Sequence, residues 1–592
     1  MVDLRANPYF LSDEDVQWVE QTAAAMTEDE KIWQLFADPL MGRDQENLIA
    51  FLAEHPLGAC PFRAGQFDNA AARKILGAVQ DAQKIPMLIT ADCGTGADGR
   101  LKTGTLVGTA AQAGAAPDNG ETAYDIGSIA CKELGAVGFN WAFEPVSDIL
   151  LNWRNCLVNT RAFSSDPDRV ITCVDQFLQA AKDNNFLPCL KHFPGDGWEE
   201  RDQHIVEGNN GLSCEAWDAT FGKVYQHCID RGVPTIMVGH FTLPAYQKKL
   251  NPALRDADMT TACTSKELIT GLLRQQLGFH GLVVTDQTTM MGFYSLPRTK
   301  ALPACIEAGC DMILGINDVD EDFACMKEAV QSGQITAERL NDVLYHILGA
   351  KAMIGLHRRK AEYGTLTPPE EQLACICSEE HRQAAIRAAD KAITLVKDTR
   401  RQLPIRPETH KKILLHVLGG AASKSLFGTG VASGGASGLP ELIKGILEKQ
   451  GFEVTIWSNE VFGTRRYGTI PGSFKGVTKE SAHRFDAVLL FADVSQFATT
   501  NAMRLVWPSP MCNIMPWYVA EGVPVAFISL NLTNHMIDVP RVPIFINAYN
   551  HRPETIELVI RKLMGDSPFT GRYEETVFCG QWDTHFYRKS RN

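Results

Sequence analysis

The chain has 592 residues, more than one compact core usually holds, so two domains are the first expectation. Hydrophobic residues at 45% and charged residues at 21% describe an ordinary globular protein. A net charge of −13 argues against a nucleic-acid surface and against attraction to an anionic membrane.

The opening segment "MVDLRANPYFLSDEDVQWVE" lacks the basic-then-apolar run of a signal peptide. No stretch reaches the roughly 18 apolar residues of a membrane span. The 16 cysteines sit mostly in apolar runs such as "ACIEAGCDMILG", as buried thiols of a reducing compartment do, and a cytoplasmic location is expected.

From residue 12 to 350, helical-period segments alternate with short apolar runs. "PMLITAD" (86–92), "GFNWAFEPV" (138–146), "FLPCLKHF" (186–193), "VPTIMVGHF" (233–241), "HGLVVTD" (280–286) and "CDMILG" (310–315) read as strands buried on both faces, with "LGACPF" (57–62) a weaker candidate. "TSKELITGLLRQQLGF" reads as a helix opened by Thr264, with Glu267 three residues on. Polar residues stand at the C-terminal ends of several runs: Asp92, Lys191 and His192, His240, and Asp286. A closed barrel gathers groups from many strand ends onto one face, whereas an open sheet concentrates its ligand in one crevice. The expected fold is therefore a (β/α)8-type TIM barrel over residues 1–360, followed by a smaller α/β/α sandwich over 401–592.

Residues 361–400 form the expected connection, with Pro-Pro and then "EEHRQAAIRAADKAITLVKD" read as a helix. Beyond it, "KKILLHVLG", "FEVTIWS", "FDAVLLFADV", "VPVAFISL" and "VPIFINAY" read as strands, with the helix "GLPELIKGILEKQG" among them. The Gly-rich segment 427–440 precedes that helix but lacks the dinucleotide spacing, and reads as a loop. Cys375-x-Cys377 near His381 lacks a second ligand pair, so structural thiols are expected, with no metal and no cofactor.

The chemistry concentrates in "LPCLKHFPGDGWEERDQHIVEG" (187–208). In an extended segment residues i and i+2 point to one side. The Asp202 carboxylate can then accept the imidazole N–H of His204, fix its tautomer and stabilise the imidazolium. The other ring nitrogen is left to exchange a proton near neutral pH. Asp-x-His alone is common; with Lys191, His192 and the Phe-Pro-Gly turn it becomes specific.

"KHFPGDGWEERDQH" resembles the "KHFPGHG…D-x-H" signature of the β-N-acetylglucosaminidase branch of glycoside hydrolase family 3. "GFNWAFEPVSDILLNWRNCLVNTRAFSSDPDRV" is similar to the segment carrying "APV-D…R-S-F-G-D-P", "VGHFTLPAY" to the "V-x-H…P-A" strand end, and "GFHGLVVTDQTTMMGF" to the nucleophile segment. "AADKAITLVKD" with "LPI" resembles the entry to the family's second domain. The resemblance implies a retaining β-N-acetylglucosaminidase acting on terminal GlcNAc of cell-wall or chitin-derived oligosaccharides. It implies Asp286 as nucleophile, His204 as acid/base and Asp202 as its partner, with Asp92, Arg161, Lys191 and His192 holding the sugar and Arg100 in a basic supporting role.

Bland alternatives stand beside these roles. Asp286 also suits a helix N-cap, His240 a core histidine, and Arg161 a structural ion pair. The sequence departs from the family pattern at three places: Gly94 replaces an acid of "D-x-E-G-G", Asp196 a histidine of "FPGHG", and Gln287 the second acid of "TDD". Rival readings are a phosphorylase of the same fold, since an imidazole repels phosphate less than a glutamate does, and a catalytically silent sugar-binding protein; a β-glucosidase of the family it resembles is disfavoured, because such enzymes lack the dyad loop. The glycine-punctuated loop 194–206 is expected to be mobile without ligand and ordered with it.

Overall fold

The computed structural model describes all residues except 1, 39–44, 156, 420–437, 458–478, 495–503, 506–514, 575, 579 and 581–592. They form two compact units. The first comprises Met1–Val107, Asn119–Ile149 and Asp166–Ala384; the second comprises Gly108–Asp118, Leu150–Ser165 and Ala385–Asn592.

In the first unit eight parallel strands alternate with helices: β1 (Phe36–Ala37), β2 (Ala59–Pro61), β3 (Leu88–Ala91), β4 (Trp141–Ala142), β5 (Leu187–Phe193), β7 (Thr235–Val238), β9 (Leu282–Thr285) and β10 (Ile313–Leu314). Their order is β10-β1-β2-β3-β4-β5-β7-β9, and a parallel bridge from Val284 to Met312 closes the ring. This is the expected barrel. A minor pair, β6 (Gly208–Asn209) and β8 (Phe241–Thr242), follows the C-terminal ends of β5 and β7. Side chains fill the barrel: Trp141 is fully buried, and its indole N–H donates to Thr235 Oγ1 at 3.1 Å. The helix before β9 opens one residue later than the Thr264 pattern implied. Ser265 Oγ accepts the Leu268 N–H at 3.4 Å, and Thr264 ends a preceding 3-10 turn.

The second unit is built on a six-stranded sheet of order β11-β16-β15-β14-β12-β13. The strands are β11 (Thr394–Asp398), β12 (Lys412–Gly419), β13 (Glu453–Ile456), β14 (Ala487–Asp493), β15 (Val525–Ser529) and β16 (Ile544–Asn547). All pairings are parallel except β11 with β16. Along β14, Val488, Leu490 and Ala492 join one apolar cluster while Ala487, Leu489 and Phe491 join the other, so both faces are covered. That alternation is what an α/β/α sandwich requires. One expectation is corrected here. The helix read through "KAITLVKD" stops at Ala392, and β11 begins at Thr394, where Thr, Leu and Val favour an extended edge.

Cys375 and Cys377 belong to a structural tie. His381 Nδ1 lies 2.7 Å from Glu133 Oε1, and the Cys377 N–H donates to the same oxygen at 3.0 Å. Among the described residues, no group of three or more His, Cys, Asp or Glu is placed to hold a metal ion, and no helix is long and apolar enough to cross a membrane. Residues 427–437 of the Gly-rich segment lie outside the described residues.

Candidate active site

Parallel strands all end on one rim, and the first unit's polar residues collect there. β5 carries two of them. Its pairing with β7 slips between Leu190 and Phe193, a bulge that inserts one extra residue where Lys191 and His192 stand. Bulges re-aim side chains at barrel rims. Lys191, 1% exposed, directs Nζ to Asp92 Oδ1 at 2.6 Å and to Glu144 Oε1 at 3.5 Å. Arg100 approaches the other Asp92 oxygen at 3.8 Å. A buried ammonium flanked by two carboxylates is satisfied only by such partners, and half-exposed Asp92 presents the assembly to the barrel mouth.

His192 is held by Asp148. Its Nδ1 lies 2.7 Å from Asp148 Oδ2, and its backbone N–H donates to Asp148 Oδ1 at 3.1 Å. That leaves Nε2 facing Asp286 Oδ2 at 3.8 Å. Asp286 follows the last residue of β9 and is buried. Burial alone would push its carboxyl up, but the imidazoles of His192, His240 and His204 and the Gln287 N–H more than offset this and hold it below the usual aspartate value. Asp286 is therefore a carboxylate at neutral pH. The Gln203 side-chain amide donates to Oδ2 at 2.9 Å, and the Gln287 N–H to Oδ1 at 2.7 Å. The helix N-cap reading of Asp286 is thereby replaced: its oxygens accept from its own turn and from Gln203.

His240 is wholly buried. Burial pushes its imidazole down, Nε2–H donates to the Gln287 carbonyl at 3.1 Å, and Nδ1 faces Cys263 Sγ at 3.5 Å. It is a satisfied core histidine that borders the site.

Asp202 and His204 come into contact, but on a turn and not in the extended segment expected: the Asp202 carbonyl accepts the Ile205 and Val206 N–H groups at 3.0 and 3.1 Å. His204 Nδ1 lies 2.7 Å from Asp202 Oδ1, and the His204 N–H donates to the same oxygen at 2.9 Å. Asp202 is buried while His204 keeps partial exposure, so Nε2 is the nitrogen available for proton exchange. Hydrogen bonds tie the loop around it at both ends. Trp217 Nε1–H donates to the Pro194 carbonyl at 2.8 Å and Asn210 Nδ2–H to the Gly195 carbonyl at 3.0 Å. Gly195 has φ +119°, and the Phe221 ring occupies the space a Cβ would need. The Met291 and Gly292 N–H groups donate to the His204 and Gln203 carbonyls at 3.2 and 3.1 Å. Its glycines serve close packing, and the residues that reach the surface are Trp198, Glu200, Arg201, Ile205 and Val206.

Arg161 belongs to the second unit, on the 3-10 turn Asn159–Arg161. Three buried residues outside the expected set complete the first unit's site: Asp148, Glu144 and Gln203. Asp148 and Glu144 were signalled only as polar residues inside apolar runs, and Gln203 only by its place between Asp202 and His204. Of the departures, Asp196 donates its N–H to Asp148 Oδ1 at 2.8 Å, and Gln287 Nε2–H turns to Thr289 Oγ1 at 3.1 Å. At Gly94 a Cβ would sit 2.9 Å from Glu144 Oε1, so a carboxylate already fills the place of a side chain there.

A closed parallel barrel with a buried carboxylate, an imidazole–carboxylate pair and a paired lysine on its C-terminal rim is the framework of a barrel enzyme working by acid–base and nucleophilic chemistry. Residues 27–350 match the glycosyl hydrolase family 3 N terminal domain. The chain is 37% identical over 589 residues to a β-N-acetylglucosaminidase/β-glucosidase of Cellulomonas fimi, spanning 99% of this chain and 100% of that one. The chain belongs to glycoside hydrolase family 3 and is a glycoside hydrolase by family, with carbohydrate as its substrate class. A β-hexosaminidase of Neisseria meningitidis serogroup C is 28% identical over 317 residues, covering 51% of this chain and 79% of that one. Among solved structures, β-glucoside phosphorylase BglX bound to 2FGlc superposes with TM-score 0.85 at 34% identity, covering 96% of this chain and 98% of that one. A family 3 β-N-acetylglucosaminidase from Paenibacillus sp. shares the fold with TM-score 0.68 at 21% identity, covering 93% and 98%.

Proposed function

We propose that this protein cleaves terminal β-linked GlcNAc, and glucose as a second sugar, from small oligosaccharides or glycosides by double displacement at Asp286. The observation that carries this reading is the pairing of a buried, ionised Asp286 with an Asp202–His204 dyad on the same rim. In the first step an Asp286 oxygen bonds to the anomeric carbon as the bond to the aglycone oxygen breaks. His204 Nε2–H gives its proton to that oxygen. In the second step water attacks the anomeric carbon, His204 takes its proton, and Asp286 leaves as carboxylate. Asp92, Lys191, His192 and Arg100 are assigned to the sugar's polar groups by their place on the rim; Arg161 rests on the resemblance alone. Fragments of cell wall or chitin, handled in the cytoplasm, are the proposed source of substrate.

A second reading keeps the first step and replaces water by phosphate. It is favoured by the likeness to BglX, named a β-glucoside phosphorylase, and by an acid/base that carries no negative charge of its own. Hydrogen phosphate needs no base to attack and would give the sugar 1-phosphate. A panel of aryl β-glycosides, each run with and without phosphate and read by mass spectrometry, tests both. Free sugar alone supports hydrolysis and sugar 1-phosphate the second reading; no release of any aglycone refutes both.

A further inference from the structure

Gln203 lies between the two members of the dyad, on the turn that the Asp202 carbonyl closes with the Ile205 and Val206 N–H groups, and is completely buried. Its side-chain oxygen accepts the His240 backbone N–H at 2.7 Å. That bond fixes which end of the amide is which, so the NH2 group is the end that meets Asp286 Oδ2 at 2.9 Å. Its carbonyl accepts the Gly292 N–H at 3.1 Å, from the turn that follows Asp286. A Cβ at Gly292 would lie 2.5 Å from that carbonyl oxygen and 3.2 Å from the His240 Cβ, so the close approach requires glycine. One residue thus joins the loop carrying His204, the end of β7 and the carboxylate after β9.

We propose that Gln203 is a positioning residue: its amide holds the Asp286 carboxylate in its attacking orientation and couples that orientation to the seating of the dyad loop. The inference rests on the assignment of Asp286 as nucleophile. A carboxylate swings freely about its terminal torsion unless both oxygens are held. The Gln287 N–H holds one oxygen and Gln203 the other, leaving the remaining lone pairs directed by the protein. Because the same residue is the centre of Asp202-Gln203-His204, the nucleophile is oriented only when the proton donor is in place.

The groups facing this contact are the His192 imidazole from β5 with Asp148 behind it, the His240 imidazole with Cys263 behind it, and the His204–Asp202 pair of the loop. None of them makes the amide's contact: His240 has both ring nitrogens engaged, His192 Nε2 stands 3.8 Å from the oxygen, beyond hydrogen-bond reach, and His204 Nε2 is the proton-exchanging nitrogen.

The test uses Gln203→Glu and Gln203→Met in the full-length protein, with a dinitrophenyl β-glycoside whose departure needs no protonation. In the Gln203→Glu variant the introduced carboxyl, while protonated, can donate its hydroxyl to Asp286 Oδ2 and keep the His240 N–H on its carbonyl. Once ionised, it sets a second negative charge against Asp286. Gln203→Glu should therefore work near the wild-type rate at acid pH and lose about tenfold or more against wild type by pH 8. Gln203→Met, of similar length, should lose about 10- to 100-fold in kcat at every pH, the loss of one hydrogen bond to a charged group, with sugar inhibition constants unchanged. A Gln203→Glu profile that superimposes on wild type, or a Gln203→Met variant within twofold of wild type, overturns the proposal. If Gln203→Glu does not fold, the Gln203→Met result decides alone. Asp286→Asn in the same assay separates the two levels: if it turns over normally, the nucleophile assignment has failed; if it is dead while the Gln203 variants are normal, only the positioning role has.

Discussion

Replacing Asp202 by Asn tests whether the dyad carries protons, and the geometry sets the size of the effect. Both donors of His204, the ring Nδ1–H and the backbone N–H, converge on the single oxygen Asp202 Oδ1 at 2.7 and 2.9 Å. An asparagine whose carbonyl takes the Oδ1 place keeps both bonds and loses only the charge. A hydrogen bond to a charged group contributes about 1.5–3 kcal/mol and a neutral one about 0.5–1.5, so the charge is worth about 1–1.5 kcal/mol, or roughly 5- to 13-fold in rate. That loss should fall on substrates whose leaving group must be protonated, such as alkyl or sugar glycosides. It should be within about twofold for dinitrophenyl glycosides, whose departure is unassisted. Asp202→Ala, which frees the ring to rotate, should lose more on the same substrates. The assay is kcat/KM across aryl and alkyl glycosides ordered by leaving-group acidity, with melting temperature as the folding control. A uniform loss across the series would show that Asp202 supports the loop and that His204 does not donate the proton.

Hydrogen exchange without ligand should show protected amides at Gly195, Asp196, His204, Met291 and Gly292, each of which has a partner, and fast exchange confined to 198–201. Added GlcNAc should change only the latter; uniform fast exchange from 194 to 206 would restore the mobile loop. In the barrel, Lys351 is fully buried with Nζ 2.6 Å from Gln34 Oε1, and burial pushes its pKa down from 10.5 to about 7. The unfolded chain therefore binds the extra proton between about pH 7 and 10.4, and Lys351 costs stability that is recovered as pH rises through that window. Lys351→Met should be the more stable form near pH 7, with its advantage shrinking by about 2 kcal/mol by pH 9 in paired denaturant titrations. The pairing cancels buried thiols such as Cys131 and Cys228, whose pKa values burial raises. A constant difference across pH would mean that Lys351 is solvated.

The barrel was legible because parallel strands buried on both faces leave unbroken apolar runs, and because several of them ended in a polar residue. β1 was not, since only Phe36 and Ala37 pair and two residues carry no pattern. β11 was hidden inside a helical period that Thr394 ends, because the switch to an edge strand depends on β16, about 150 residues away in sequence. The dyad was readable as a local i, i+2 relation. Its orientation of Asp286 was not, because Gln203, Asp148 and Glu144 act across strands, and sequence offers no signal for a contact between residues 83 positions apart, as Gln203 and Asp286 are.

Gly94 shows how a departure from a pattern can be a relocation. Read along the chain, it is a lost acid and counts toward a silent protein. In space, the carboxylate of Glu144 stands 2.9 Å from where a Cβ at 94 would be and 3.5 Å from Lys191 Nζ. Gly94 is not among the glycines of positive φ, so its backbone admits a side chain and only the space is taken. The two positions therefore constrain one another: a side chain at 94 displaces Glu144, and removal of Glu144 takes one carboxylate partner from Lys191. Gly94→Glu should set two like charges in one place, and Glu144→Ala should weaken the hold on a buried ammonium, which costs up to about 3–5 kcal/mol when a sole partner is lost and less here. Each single variant should lose activity, and the double variant Gly94→Glu with Glu144→Ala should recover about tenfold or more over the worse single, since one carboxylate again faces Lys191. A double variant whose losses simply add, measured as kcat/KM on the preferred glycoside with folding verified, would show that the two positions do not share a site.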